Sequence, residues 1–240
     1  MPWQPFSVKV ATKRRLPYRS FRELRSDVVS CEKCPRLVRF RTTVSVRAAF
    51  RGQDYWRRPV PGFGDATARI VVVGLAPAAH GGNRTGRIFT GDESARFLMR
   101  SLHDAGLASQ PASLSRDDGL VLTDCYMTAA VKCVPPEDRP TPKEFRNCSV
   151  YLDAELELLS RAEAIVALGH LAFRSILDWA ASRGAETSGA KFEHGREYGF
   201  EGLPNVYACY HPSPRNTYTG KLTRRMMTGL FKRVVKGRTA

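Results

Sequence analysis

The 240-residue chain has no apolar run long enough to span a bilayer; the longest, Ile70 to Ala79, is broken by Gly74 and Pro77. No hydrophobic signal core follows Met1, so the chain is expected to be intracellular, soluble and without a membrane partner. It has no internal repeat, and neither G-x-G-x-x-G nor G-K-[ST] occurs, which excludes the common dinucleotide and nucleotide-phosphate loops. At 42% hydrophobic and 25% charged residues it is neither collagenous nor wholly disordered. The length fits one large domain with a core that needs no disulfides.

Acidic residues are scarce at both ends. Residues 1–58 carry 15 basic against 4 acidic side chains, and residues 219–240 carry 7 against none, so the excess behind the net charge of +15 is clustered. Clustered cations suit a polyanion, because a nucleic acid releases counterions when they bind. A merely basic, solvated surface fits the same numbers, and charge alone does not separate the two. Residues 1–20 are expected to form a basic arm and residues 21–240 one domain.

Buried β-branched runs at 68–74 and 164–169, strand-like runs at 119–131 and 205–210, and helical patterns at 93–106, 170–181 and 221–236 alternate along the chain. Thr141-Pro142-Lys143-Glu144 has the form of a capping box opening another helix. Alternating strands and helices predict an α/β fold, with a central, mainly parallel sheet, and place sites beyond the carboxyl ends of the strands. The loops to watch are 74–92, 131–136 and 211–219.

The first of these reads GLAPAAHGGNRTGRIFTGD, and its five glycines suit a backbone that approaches a ligand closely. The last begins His211-Pro212-Ser213-Pro214-Arg215-Asn216, where two prolines stiffen the segment that holds the histidine. Cys31 and Cys34 form a C-x-x-C, with Cys133 and Cys148 far downstream; Cys125 and Cys209 lie inside strand-like runs. Without a nearby histidine, four such thiols suit zinc, an iron–sulfur cluster or no metal at all, and spacing leaves all three open.

GLAPAAHGGNRTGRIFTGD, AAVKCVPPEDRPTPKEFRNC and HPSPRN, in that order, resemble the uracil-DNA glycosylase superfamily, within it the iron–sulfur type b enzymes or fifth family. The resemblance runs from Cys31 to about Leu230 and implies the three-layer α/β/α glycosylase fold. It implies that Cys31, Cys34, Cys133 and Cys148 bind a 4Fe-4S cluster, that Phe89 stacks on a flipped base, that His211 sits beside the base O2, and that Pro212 to Asn216 enter the minor groove. It further implies a hydrolase that excises uracil from damaged double-stranded DNA; a monomer in the cytoplasm, at the nucleoid, is expected, and the small residues Ala76, Ala78 and Ala79 add hypoxanthine and ethenocytosine as expected substrates. A non-catalytic iron–sulfur protein, binding nucleic acid or carrying electrons, is the alternative.

Two departures matter. Leu75 and Ala76 stand where other members of the superfamily carry an Asp, Asn or Glu that positions water, and Ala129 stands where relatives carry an Asn that reads uracil. Asn83 is therefore the first candidate for orienting water and His80 the second, while Asp92 reads as a helix cap. Gly74, Ala76, Phe89 and Ala129 are expected around the base, with Ala78 and Ala79 widening one wall. Arg84, Arg87, Ser213, Pro214, Arg215, Asn216, Lys221, Arg224 and Arg225 are expected on DNA.

Overall fold

A computed structural model describes residues 17–237. All but the last four residues of the expected arm, together with the chain's last three residues, lie outside the described residues.

Four parallel strands form the centre of the sheet: β2 (Ile70–Gly74), β3 (Cys125–Ala129), β4 (Ala164–Leu168) and β6 (Asn205–Cys209). Their near-continuous apolar sequences are those of strands covered on both faces. Two short antiparallel strands, β1 (Phe63–Gly64) and β5 (Glu197–Tyr198), close the edges in the order β1-β3-β2-β4-β6-β5. Gly74 pairs with Ala129, and Leu168 with Cys209, so the carboxyl ends of the four central strands share one rim.

Side chains alternate across this sheet. Ile70, Val72, Val166 and Cys209 face one apolar layer with α4 (Glu93–Asp104) and α8 (Arg224–Lys236), whereas Val71, Val73, Ile165 and Ala208 face a second with α5 (Pro142–Leu158) and α6 (His170–Ala181). The three-layer α/β/α arrangement is thus present. Cys125 and Cys209 are buried core thiols of the first layer. The expected capping box opens α5, with Thr141 and Glu144 bonded reciprocally.

Sequence patterning left the segment before the sheet without elements, yet it holds α1 (Phe21–Ser30) and α2 (Pro35–Thr43). Ser20 caps α1, and Leu24 and Val28 are buried; the basic residues around them hide that short apolar stripe. A forked ion pair from Arg36 to Glu144, at 2.8 and 2.7 Å, ties α2 to the start of α5. The charged segment 183–202 supplies β5, and α3 (Gly82–Thr85) and α7 (Pro214–Tyr218) are single turns inside the two motif loops.

Candidate active site and thiol site

A cavity of about 350 Å³ opens at the carboxyl rim, within the range of ligand sites. Leu75, Ala76, Ala78, Ile88, Phe89 and Pro214 line it, with Asp92, Ser94, Asp138, His211 and Ser213 as its polar groups. Phe89 lies over the end of β2: a Cβ on Gly74 would stand 2.5 Å from the ring, so only glycine leaves room for it. Phe89 holds a left-handed backbone, φ 48°, as do the consecutive Glu137 and Asp138 at 55° and 54°. Such non-glycine conformations persist where surrounding structure enforces them, often at sites of function.

Two titratable groups in the cavity are displaced in opposite directions. Burial raises the Asp92 carboxyl above its ordinary value, against the Ala95 and Ser94 amides and the Arg84 charge, which favour ionisation. Asp92 Oδ1 also accepts the Ala95 amide at 2.9 Å, so the residue caps α4 and faces the cavity at once. Burial lowers the His211 imidazole, opposed only by the Asp138 charge, which keeps the ring neutral at neutral pH. The Asn216 amide donates to the His211 carbonyl at 2.8 Å and fixes the loop.

The two residues first expected to handle water are elsewhere. Asn83 is buried and absent from the cavity wall, its side chain donating to the Arg41 carbonyl at 3.2 Å. His80 turns toward Tyr55, whose hydroxyl lies 3.0 Å from its Nδ1, and stacks with Phe50. Ala79 packs beside Val44, Tyr55 and Val134 rather than along the wall. Ala129 is buried in the same apolar layer as Phe89 without lining the cavity, and its carbonyl accepts Lys132 Nζ at 2.9 Å. Asp92 and Asp138 are the acids that sequence reading passed over: one had a sufficient explanation as a cap, and the other lies two residues beyond the 131–136 loop.

Cys31, Cys34, Cys133 and Cys148 line one small cavity between α1, α2, the segment after β3 and α5. The Lys132 amide points at Cys148 Sγ from 3.2 Å, and Asn147 Nδ2 at Cys34 Sγ from 3.4 Å. The Tyr151 hydroxyl, which borders the same cavity, is buried without a partner. Burial pushes the Cys133 thiol up to about 12 and Cys148 up to about 11, so without a metal both stay protonated at neutral pH. Among the described residues, no three His, Cys, Asp or Glu side chains are grouped to hold a metal ion. The donor chemistry suits a thiolate-bound group, while the arrangement is not that of a closed single-ion site.

Comparison with known proteins decides the family. The family described as the Uracil DNA glycosylase superfamily matches residues 61–234. A type-5 uracil-DNA glycosylase of Thermus thermophilus is 51% identical over 200 residues, covering 83% of this chain and 90% of the relative. One of Pyrobaculum aerophilum is 50% identical over 206 residues, covering 86% and 88%. A third, of Mycobacterium bovis, is 45% identical over 217 residues, covering 89% and 80%. The chain belongs to the uracil-DNA glycosylase superfamily.

Superfamily membership makes it a hydrolytic DNA-repair glycosylase, and no described helix is long and apolar enough to cross a membrane. The residues expected on DNA divide accordingly. Ser213 and Pro214 line the cavity, and Arg215, Lys221 and Arg225 are exposed. Arg224 is engaged by Asp104 at 2.6 Å, and Asn216 by its own loop. Arg84 reaches the carbonyls of His80 and Gly91 and the amide of Gln53, at 2.7, 3.1 and 2.9 Å. Arg87 is no phosphate contact: it is buried, with both Asp118 oxygens at 2.8 Å and Ser113 Oγ at 2.8 Å.

Proposed function

We propose that this glycosylase extrudes uracil, and also bulkier deaminated or alkylated bases such as hypoxanthine and ethenocytosine, from double-stranded DNA into the cavity beneath Phe89 and hydrolyses the glycosidic bond. The observation that carries the reading is the pairing of a neutral, half-buried His211 with a desolvated Asp92 in one cavity at the sheet rim. Bond loss builds positive charge on the sugar and negative charge on the departing base. The His211 ring can donate a hydrogen bond to that anion without passing it a proton. Asp92 stabilises the sugar cation and orients water, and its raised pKa lets it take the water's proton, which an amide at Asn83 cannot do. Asp138 holds the negative field beside His211.

Breadth follows from what the wall lacks. Ala76 and Ala78 leave room, and neither offers an amide to go unpaired against a wrong base. A sound thymine opposite adenine is spared because extruding it costs more. Single-turnover cleavage of duplexes carrying each lesion tests the reading. Cleavage of all three lesions, with thymine intact, is expected; activity confined to uracil would contradict the breadth, and binding without cleavage the whole reading.

Cys31, Cys34, Cys133 and Cys148 would hold a 4Fe-4S cluster, a fit supported by their common cavity, the amides aimed at two sulfurs and the orphaned Tyr151 hydroxyl. Such a cluster would supply a covalent staple between the first two helices and α5. The expected protein is a brown monomer containing iron and acid-labile sulfide, both lost on replacing Cys133 or Cys148 by Ser. Equal loss on replacing Cys125 or Cys209 would contradict the ligand assignment.

A further inference from the structure

We propose that Arg41 is the counter-cation of the thiol site, its guanidinium balancing the negative charge that four thiolates bring when a cluster is bound. The inference rests on the cluster reading above.

Three cations are buried among the described residues: Arg41, Arg87 and Lys132. Two have carboxylates, Arg87 with Asp118 at 2.8 Å and Lys132 with Glu155 at 2.6 Å. Arg41, only 4% exposed, pairs with no acid among the described residues. Its guanidinium donates to the Arg57 carbonyl at 3.1 Å and, at 3.5 Å, to the carbonyl of Cys31, and its Nε has no partner. A buried charge left without an opposite is costly enough that structures rarely keep one.

The anion Arg41 lacks is supplied by its neighbours. It lies on α2, which follows the Cys31–Cys34 pair, and its guanidinium reaches back to the backbone of Cys31 itself. Four thiolates carry more negative charge than a cluster core cancels, and net charge and hydrogen bonding set how tightly electrons sit on such a cluster. The Arg41 carbonyl in turn accepts the Asn83 amide, and the Arg57 amide donates to the Asn83 carbonyl at 3.1 Å, so Asn83 bolts this corner to the glycine-rich loop.

Full-length holoprotein carrying Arg41→Met, Arg41→Lys or Arg87→Met separates charge from packing, with iron and sulfide per chain, iron release to a chelator and the midpoint potential as readouts. Arg41→Met is expected to release iron roughly 10- to 100-fold faster and to shift the potential downward, while Arg41→Lys stays close to wild type. Arg87→Met is expected to lower thermal stability with iron release and potential unchanged. Equal changes in Arg41→Met and Arg41→Lys, or none in Arg41→Met, would overturn the proposal and leave the cluster reading standing. If Arg41→Met is insoluble, Arg41→Lys decides: soluble and iron-loaded supports a requirement for charge, colourless or insoluble overturns it. Wild-type protein without iron and sulfide would overturn the cluster reading itself, whatever the variants do.

Discussion

The loop after β2 contains two groups of residues that do opposite things. In its middle, His80, Asn83, Arg84 and Arg87 turn to protein partners: Tyr55, the Arg41 carbonyl, oxygens of His80, Gln53 and Gly91, and Asp118. At its end, Phe89 and Asp92 face the cavity with His211 from the other motif loop. The middle anchors the loop and the end lines the cavity. A glycine-rich loop needs such anchors because glycine leaves much backbone freedom to be removed. Polar residues in a functional loop therefore divide into those that touch substrate and those that make the loop rigid enough for the others to do so.

Variants on either side of this division should fail differently. Arg87→Met strips the largely covered Asp118 of its ion-pair partner, leaving it backbone amides alone, and should cost the largest amount of stability, about 3 kcal/mol by denaturant unfolding. His211→Ala should leave duplex affinity and Tm near wild type while raising the cleavage barrier by about 3–4 kcal/mol on every lesion, measured in single turnover. Asn83→Ala should remove about 1–2 kcal/mol of stability. The folded fraction of that variant should cleave at the wild-type rate, and a slowed chemical step with unchanged Tm would return Asn83 to the site. Smallest, Arg225→Ala should flatten the salt dependence of binding by roughly one slope unit, and Arg224→Ala by less, since Asp104 already engages Arg224.

Acidity offers a further handle. Because burial lowers the His211 pKa, the unfolded chain binds a proton that the folded imidazole resists as pH drops through 6.5. Stability should therefore fall with pH in that window, and His211→Ala should reduce the fall. Asp92 behaves in the opposite sense. Its raised pKa means the ionised carboxylate costs stability above the ordinary value of 3.8, so Asp92→Asn, which can still cap α4, should be no less stable at neutral pH.

The central strands, the helices on both faces and the capping box at Thr141 were legible in sequence because buried parallel strands and amphipathic helices leave periodic marks. α1 and α2 were not, since each is short and its apolar positions sit among arginines. Phe89 and His211 were placed through the resemblance, and the structure puts both in the cavity. Asp92 was legible only as a cap, because a capping role and a cavity role call for the same residue and sequence shows the cap first. Asp138 left no signal of its own: it reaches the cavity through two consecutive left-handed residues in a proline-rich turn, a local conformation that neither residue type announces.

The most direct test is single-turnover excision of uracil from a duplex by wild type and Asp92→Asn, with duplex affinity and Tm measured on the same preparations. If Asp92 faces the reacting sugar as described, the variant should keep its affinity and its Tm and cleave roughly 10²- to 10⁴-fold more slowly. A cleavage rate within a factor of about three of wild type, well short of one general acid–base contribution, or a slowing matched by an equal loss of binding, would contradict it.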